Sequence, residues 1–135
     1  MRTVLVLCAL ALTLTACGAQ PRDSAEEFTG DERAVAAAVE DLESAARDDD
    51  SDVVCTKLFA ERLLASLRER RTDCEDAVKD AFRDADALDL SVEEVTITGT
   101  TARVEVTSGT GDAERTDTLE LEKSGAAWRI SSLQA

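Results

Sequence analysis

The chain has 135 residues, which is enough for one domain and too few for two of ordinary size. It carries 29 acidic and 15 basic side chains and no histidine, which gives a formal net charge of −14. A surface of this sign repels the phosphates of nucleic acids and anionic lipid headgroups. The composition therefore predicts no nucleic-acid partner and a solvated acidic surface, which would favour a cationic partner if one exists.

An apolar run follows the N-terminus and extends from Val4 to Leu14, after the basic residue Arg2. A run of about eleven residues has the length of a signal-peptide core and is too short to cross a bilayer as a mature helix. The first part of the chain is therefore predicted to be an export signal.

The run ends in Leu14-Thr15-Ala16-Cys17, which resembles the lipobox of bacterial lipoproteins. This resemblance implies that residues 1–16 are a signal peptide and that cleavage falls between Ala16 and Cys17. It further implies that the sulfur of Cys17 receives a diacylglycerol, which would hold the chain on the extracytoplasmic face of the cell membrane. The alternative is an ordinary secretory signal that contains a cysteine by chance.

Residues 17–30 are predicted to be the lipidated cysteine and a flexible tether. Gly18, Pro21, Ser24 and Gly30 interrupt this segment, its charges are mixed, and it shows no apolar period. The folded domain is expected over residues 31–135.

Two of the four cysteines remain after Cys8 in the leader and Cys17 are set aside. Cys55 and Cys74 form an even pair in a domain predicted to reach an oxidising compartment, which favours a disulfide. Closing the loop of about twenty residues between these two cysteines would stabilise the fold by roughly 3 kcal/mol. The alternatives are two free core thiols, or a metal site that has no histidine to complete it.

A first helix is predicted to end near Arg47, and Thr29 and Glu32 have the spacing of a capping box at its start. Its apolar residues recur every three or four positions and share one Ala-rich face. These residues are Val35, Ala38, Val39, Leu42, Ala45 and Ala46.

The acidic turn Asp48–Asp52 ends that helix and is predicted to cap the next one. Three of its aspartates have the alternate spacing of a calcium loop. Val53 stands where that loop needs glycine, and Phe59 stands where its bidentate glutamate belongs. A solvated turn is therefore predicted there, and no metal site.

Two further helical segments follow. The second extends from Val53 to Leu67, with a bend expected near Phe59-Ala60. The third opens at a second capping box, Thr72–Glu75, and is predicted to continue to about Ala87. Its inward face would hold Cys74, Val78, Ala81, Phe82 and Ala85.

After Leu88 the apolar period changes from helical to alternating, which indicates strands with one apolar and one polar face. Turns are expected at Gly99-Thr100, at Gly109–Asp112 and at Ser124-Gly125. The four predicted strands are centred on 94–98, 102–107, 119–122 and 128–131. Helices followed by an antiparallel meander predict an α+β fold.

The order of these elements resembles small lipid-anchored members of the nuclear-transport-factor-2-like superfamily. The matching features are the Ala-rich helix Arg33–Arg47, the acidic turn before Cys55, and the closing segment Lys123–Ile130 with its Gly-x-x-Trp-x-Ile pattern. The resemblance implies about three N-terminal helices packed on a curved four-stranded antiparallel sheet, which together form a cone with a pocket inside.

Enzymes of that superfamily place Asp, Tyr or His inside the cone as acid, base or oxyanion donor. This chain has no Tyr and no His, and a disulfide would remove its nucleophilic thiols. We predict no catalytic residue, no cofactor and no metal, and hence a non-catalytic binding or protein-interaction domain. The alternative is an enzyme of the same superfamily that uses a buried carboxylate as acid or base.

Aromatic residues are few, and Phe59, Phe82 and Trp128 are predicted to be core or pocket lining. The expected ligand is an envelope protein or a small apolar molecule. On the polar face of the sheet, a lattice of ion pairs is predicted, and this face is also the expected surface of any homodimer. The residues of that lattice are Arg103, Arg115, Arg129, Glu105, Glu120 and Glu122.

Overall fold

A computed structural model describes residues 24–83, 89–109 and 111–134. The predicted signal peptide, its cleavage site at Ala16 and Cys17, and the tether up to residue 23 lie outside these ranges. The end of the third predicted helix, including Ala85, also lies outside them.

The helices come first and the strands follow. After a 3₁₀ turn (Ser24–Glu27), the helices are α1 (Gly30–Arg47), α2 (Ser51–Val53), which continues as a π-helical turn (Val54–Leu58), α3 (Glu61–Glu69) and α4 (Cys74–Arg83). The strands are β1 (Leu90–Thr98), β2 (Thr101–Ser108), β3 (Arg115–Ser124) and β4 (Ala127–Gln134), with a 3₁₀ turn at Gly111–Ala113. The strands form one antiparallel sheet in the order β1-β2-β3-β4. The predicted α+β fold is confirmed.

One face of the sheet and one face of α1 make the core. Every residue of the predicted Ala-rich face is buried, and so are Val104, Leu121 and Ile130 on the inner face of the sheet. Helices α1 and α3, together with the π-helical turn, contact the sheet. Because the inner strand residues are aliphatic and the helical ones are largely alanine, α1 can approach the sheet closely.

Two bulges adjust the alternation of the strands. Glu93 on β1 lies between the paired residues Val92 and Glu94, which allows both Val92 and Val95 to face inward. On β4, Ser131 is the extra residue of the second bulge, since Glu120 pairs with Ser132 and Leu121 pairs with Ile130. A strict alternation of inward and outward residues does not predict a bulge. The first strand was therefore predicted around 94–98, whereas β1 begins at Leu90.

The predicted flexible tether is wrong for its last residues. Ser24 and Ala25 are buried, and the 3₁₀ turn that contains them packs on α1 and β1. Glu40 Oε1 accepts a hydrogen bond from the Ala25 amide at 2.7 Å and one from Ser24 Oγ at 3.2 Å. The packed domain therefore begins before residue 31.

The helix caps differ from the predicted capping boxes. Thr29 precedes α1 but makes no side-chain hydrogen bond to it. At α4 the cap is Asp73, whose Oδ1 accepts from the Asp76 amide at 3.1 Å, and the predicted cap Thr72 lies one residue outside. Asp50 caps α2 as expected, since its Oδ1 accepts from Val53 at 3.1 Å.

The predicted bend near Phe59-Ala60 is confirmed. The π-helical turn ends where the Phe59 amide donates to the Val54 carbonyl at 2.9 Å, and Phe59 and Ala60 are then extended. Cys55 in this turn is joined by a disulfide to Cys74 at the start of α4, with the Cα atoms 6.1 Å apart. On α4, Val78 is buried and Phe82 is half-buried, but Ala81 faces solvent, contrary to prediction. None of the helices in the described ranges combines the length and apolar composition of a membrane span.

Candidate functional site

The predicted aromatic residues lie in or against the core. Trp128 and Phe59 are each 5% exposed and belong to the buried cluster, while Phe82 packs half-buried against it. Lys123 Nζ lies 5.5 Å from the centre of the Trp128 ring and 3.0 Å from Asp31 Oδ2. Among the described residues no hydrogen-bond partner reaches the buried indole nitrogen of Trp128. These aromatic side chains fill space between the helices and the sheet.

A groove lies on the opposite, outer face of the sheet and has a volume of about 490 Å³. Helix α3 packs beside β4, and its Arg62 extends over this face. The other polar residues that line the groove are Thr96, Thr98, Thr101, Arg103, Glu120 and Ser131. The groove is thus polar.

Glu120 stands between two arginines in this groove. Its Oε2 lies 3.5 Å from Arg62 Nη2, and its Oε1 lies 3.5 Å from Arg103 Nη2. Arg103 is directly opposite Glu120 in the β2–β3 register, which accounts for their pairing. Ser131 Oγ donates to the backbone carbonyl of Glu120 at 3.1 Å. Among the ion pairs of the described residues, Glu120 is the acid that two basic side chains share.

The other arginines of the predicted lattice have different partners. Arg115 Nε pairs with Asp117 Oδ2 at 3.0 Å, and Arg129 Nη1 donates to the backbone carbonyl of Thr56 at 3.2 Å. The Nε of Arg129 is buried and has no partner among the described residues. Of the predicted ion pairs, Arg103–Glu120 is therefore the one that the structure contains. Sequence reasoning missed Arg62, because its contact depends on where α3 lies.

A buried carboxylate was also missed. Glu43 on α1 is buried, and its carboxylate forms an ion pair with Arg47, one turn later on the same helix. Its position had a sequence signal, since Glu43 follows Val39 by four residues and precedes Ala46 by three, which places it on the apolar face. Asp117, on the inner face of β3, is half-buried and paired with Arg115. A cation thus neutralises each of these carboxylates.

Two further observations concern acid–base and metal chemistry. The pKa of Lys79 is raised because its ammonium donates a hydrogen bond to Glu75, at 3.0 Å, on the exposed side of α4. This is a surface ion pair at i,i+4 spacing. Within the described ranges, no group of three or more Cys, Asp or Glu side chains has the geometry of a metal site.

Comparison with known proteins yields one distant structural likeness. No protein-family model matches the chain, and no curated protein matches it. A solved structure titled "De novo designed NTF2 fold protein NT-9" is similar with a TM-score of 0.46 and 16% identity, over 77% of this chain and 81% of that chain. That likeness is too distant to support any inference about a site.

Proposed function

We propose that the chain is a bacterial lipoprotein, anchored through Cys17 on the extracytoplasmic face of the cell membrane, whose domain is a non-catalytic binding module. The lipobox-like Leu14–Cys17 carries the anchoring part of this proposal. The Cys55–Cys74 disulfide supports export, because such bonds persist in oxidising compartments and are rare in the cytosol.

The anchor would hold the domain close to the bilayer. Between Cys17 and the buried Ser24 there are six residues, Gly18 to Asp23. A fully extended chain of this length spans about 25 Å at most. The 3₁₀ turn at Ser24 would therefore stay within about 25 Å of the anchored Cys17.

The non-catalytic part of the proposal has its support in the carboxylates of the domain. A carboxylate that acts as acid or base has to exchange its proton with a substrate, and one held in an ion pair with a cation is less available for that role. The buried Glu43 has Arg47 against it, and Asp117 has Arg115. The alternative, an enzyme of the cone-fold superfamily, finds no favourable observation in these contacts.

The anchor is tested by metabolic labelling with an alkyne fatty acid in a bacterial host that processes lipoproteins. The wild-type chain should be labelled and fractionate with membranes, whereas Cys17→Ala should lose both properties. Cys8→Ala is the matched control, because Cys8 lies within the predicted leader. Equal labelling of wild type and Cys17→Ala would show that the lipoprotein proposal is wrong.

A further inference from the structure

We propose that the groove on the outer face of the sheet binds a small ligand through an oxyanion group, a carboxylate or a phosphate, with Arg62 and Arg103 as the binding residues. This inference goes beyond the proposed function and does not depend on the lipid anchor. It assigns a ligand chemistry to the polar face of the sheet, for which the sequence predicted ion pairs or a homodimer surface.

The two guanidinium groups have donors to spare. A guanidinium carries five N–H donors, and hydrogen bonds from it to a carboxylate are ordinarily about 2.7–2.9 Å long. Arg62 and Arg103 each approach Glu120 at 3.5 Å, and their side chains are 64% and 65% exposed. The arginine hydrogen bonds of the described residues come from other arginines, and none is made by Arg62 or Arg103. Glu120 therefore lies between both groups without saturating them.

Their convergence distinguishes this place from the other ion pairs. Arg68 and Arg83 each pair with an acid on their own helix, and each of those pairs is neutral. In the groove, two guanidinium groups from different elements meet one carboxylate, so more donors converge there than Glu120 can occupy, while Glu94 beside the groove accepts from Thr96. A planar fork of donors fits the two oxygens of a carboxylate or phosphate, so an oxyanion is the group that this arrangement favours.

The threonines add a second kind of contact. Thr96 Oγ1 donates to Glu94 Oε1 at 3.3 Å, and Thr101 Oγ1 donates to the Thr98 carbonyl at 2.9 Å. Their hydroxyl protons are thus engaged, but their oxygens can still accept hydrogen bonds. The groove volume of about 490 Å³ is typical of small-molecule sites. A hydroxylated acid or a sugar phosphate would meet both the arginines and the threonine oxygens.

The net charge of −14 opposes any anion at long range. In physiological salt this repulsion is screened beyond roughly 8 Å, whereas direct contacts in the groove are screened much less. Binding is therefore governed by the two arginines once the ligand is in contact, while electrostatic attraction contributes nothing to its approach.

The test is a titration of the full chain, with its disulfide intact, followed by amide chemical shifts. One arm uses inorganic phosphate, a second uses citrate, and sodium chloride at matched ionic strength is the blank. In at least one anion arm, saturable shifts are expected at Thr96, Thr98 and Arg103. Phosphate alone, citrate alone or both saturating supports the proposal and identifies the oxyanion.

The variants separate the groove from general charge effects. Arg62→Gln and Arg103→Gln should each weaken anion binding about tenfold or more. Arg68 lies on α3, as Arg62 does, but outside the groove, so Arg68→Gln should bind the anion as wild type does. All three side chains are largely exposed, so folding should be retained and is checked from the same spectra. Shifts that never saturate, or that persist unchanged in Arg103→Gln, would overturn the proposal.

Discussion

The amide of Ala60 donates a hydrogen bond to the carbonyl of Ile130 at 2.8 Å. Phe59 forms a parallel bridge with the same residue, so the break between the helices covers the edge of β4. At the other edge of the sheet, the Val92 amide of β1 donates to Ser24 Oγ at 3.4 Å. Both edges thus receive a contact from the helical half of the chain, which limits unwanted pairing with other strands.

The first prediction concerns this edge contact and uses Ala60→Pro. Ala60 has φ −75° and ψ 152°, and Phe59 before it has φ −84° and ψ 139°, so both conformations accept proline. The substitution removes the amide proton and leaves the Ile130 carbonyl without this donor. We expect the free energy of unfolding to fall by about 1–3 kcal/mol, measured by urea denaturation.

Glu61→Pro is the control for this variant. Glu61 is the first residue of α3, where a helix leaves the amide unbonded and accepts proline. Its ion pair with Arg68 is exposed and contributes little. The stability of Glu61→Pro should therefore remain within about 1 kcal/mol of wild type. Equal losses in both variants would show that the Ala60–Ile130 hydrogen bond does not matter.

The second prediction concerns the disulfide. Cys55→Ala/Cys74→Ala should lower the free energy of unfolding by about 2–5 kcal/mol, because the reduced chain gains entropy when unfolded. Reduced wild type should match this variant in urea denaturation, and the variant itself should not respond to reductant. Val78 is the one buried residue of α4, so hydrogen exchange should show α4 losing protection first. An unchanged urea midpoint would contradict the prediction.

The sequence predicted the features that depend on local period. The buried face of α1 and the inward side of Trp128 and Ile130 follow from spacing alone. The tether was wrong at Ser24, because the turn that contains it contacts α1 and β1, including a hydrogen bond to Glu40, and local sequence does not reveal such contacts. The groove was not predictable for the same reason, since Arg62 and Glu120 are distant in sequence and meet only when α3 lies beside β4.

The third prediction concerns Arg47 and the buried Glu43. The side chain of Glu43 is 6% exposed, and that of Arg47 is 49% exposed. Arg47→Ala would leave a carboxylate buried without its cation, which is costly, although water can reach the vacated site. We expect a loss of roughly 1–3 kcal/mol in urea denaturation, below the cost of breaking a fully buried pair.

Arg83→Ala provides the comparison for Arg47→Ala. Arg83 also lies in the last turn of its helix, and its partner Asp80 is exposed. Both substitutions remove a favourable charge from a helix C-terminus, so the difference between them reports the burial of Glu43. Arg83→Ala should cost about 0.5 kcal/mol or less. Adding Glu43→Leu to Arg47→Ala should recover stability, and failure to do so would argue against the buried charge as the cause.

The last prediction concerns Glu40, which holds the N-terminal 3₁₀ turn against α1. Glu40→Ala removes the acceptor of both the Ala25 amide and Ser24 Oγ. Since a hydrogen bond to a charged group contributes about 1.5–3 kcal/mol, exchange at the Ala25 amide should accelerate by tenfold or more. Exchange at the Val92 amide should also accelerate, because this amide donates to Ser24 Oγ.

Two variants of α1 are the controls. Glu40→Gln keeps one acceptor oxygen and should show a smaller change in exchange. Asp41→Ala, exposed on the same helix, should leave both amides as in wild type. If Ala25 remained protected in Glu40→Ala, the turn would be held by the packing of Ala25 rather than by this carboxylate.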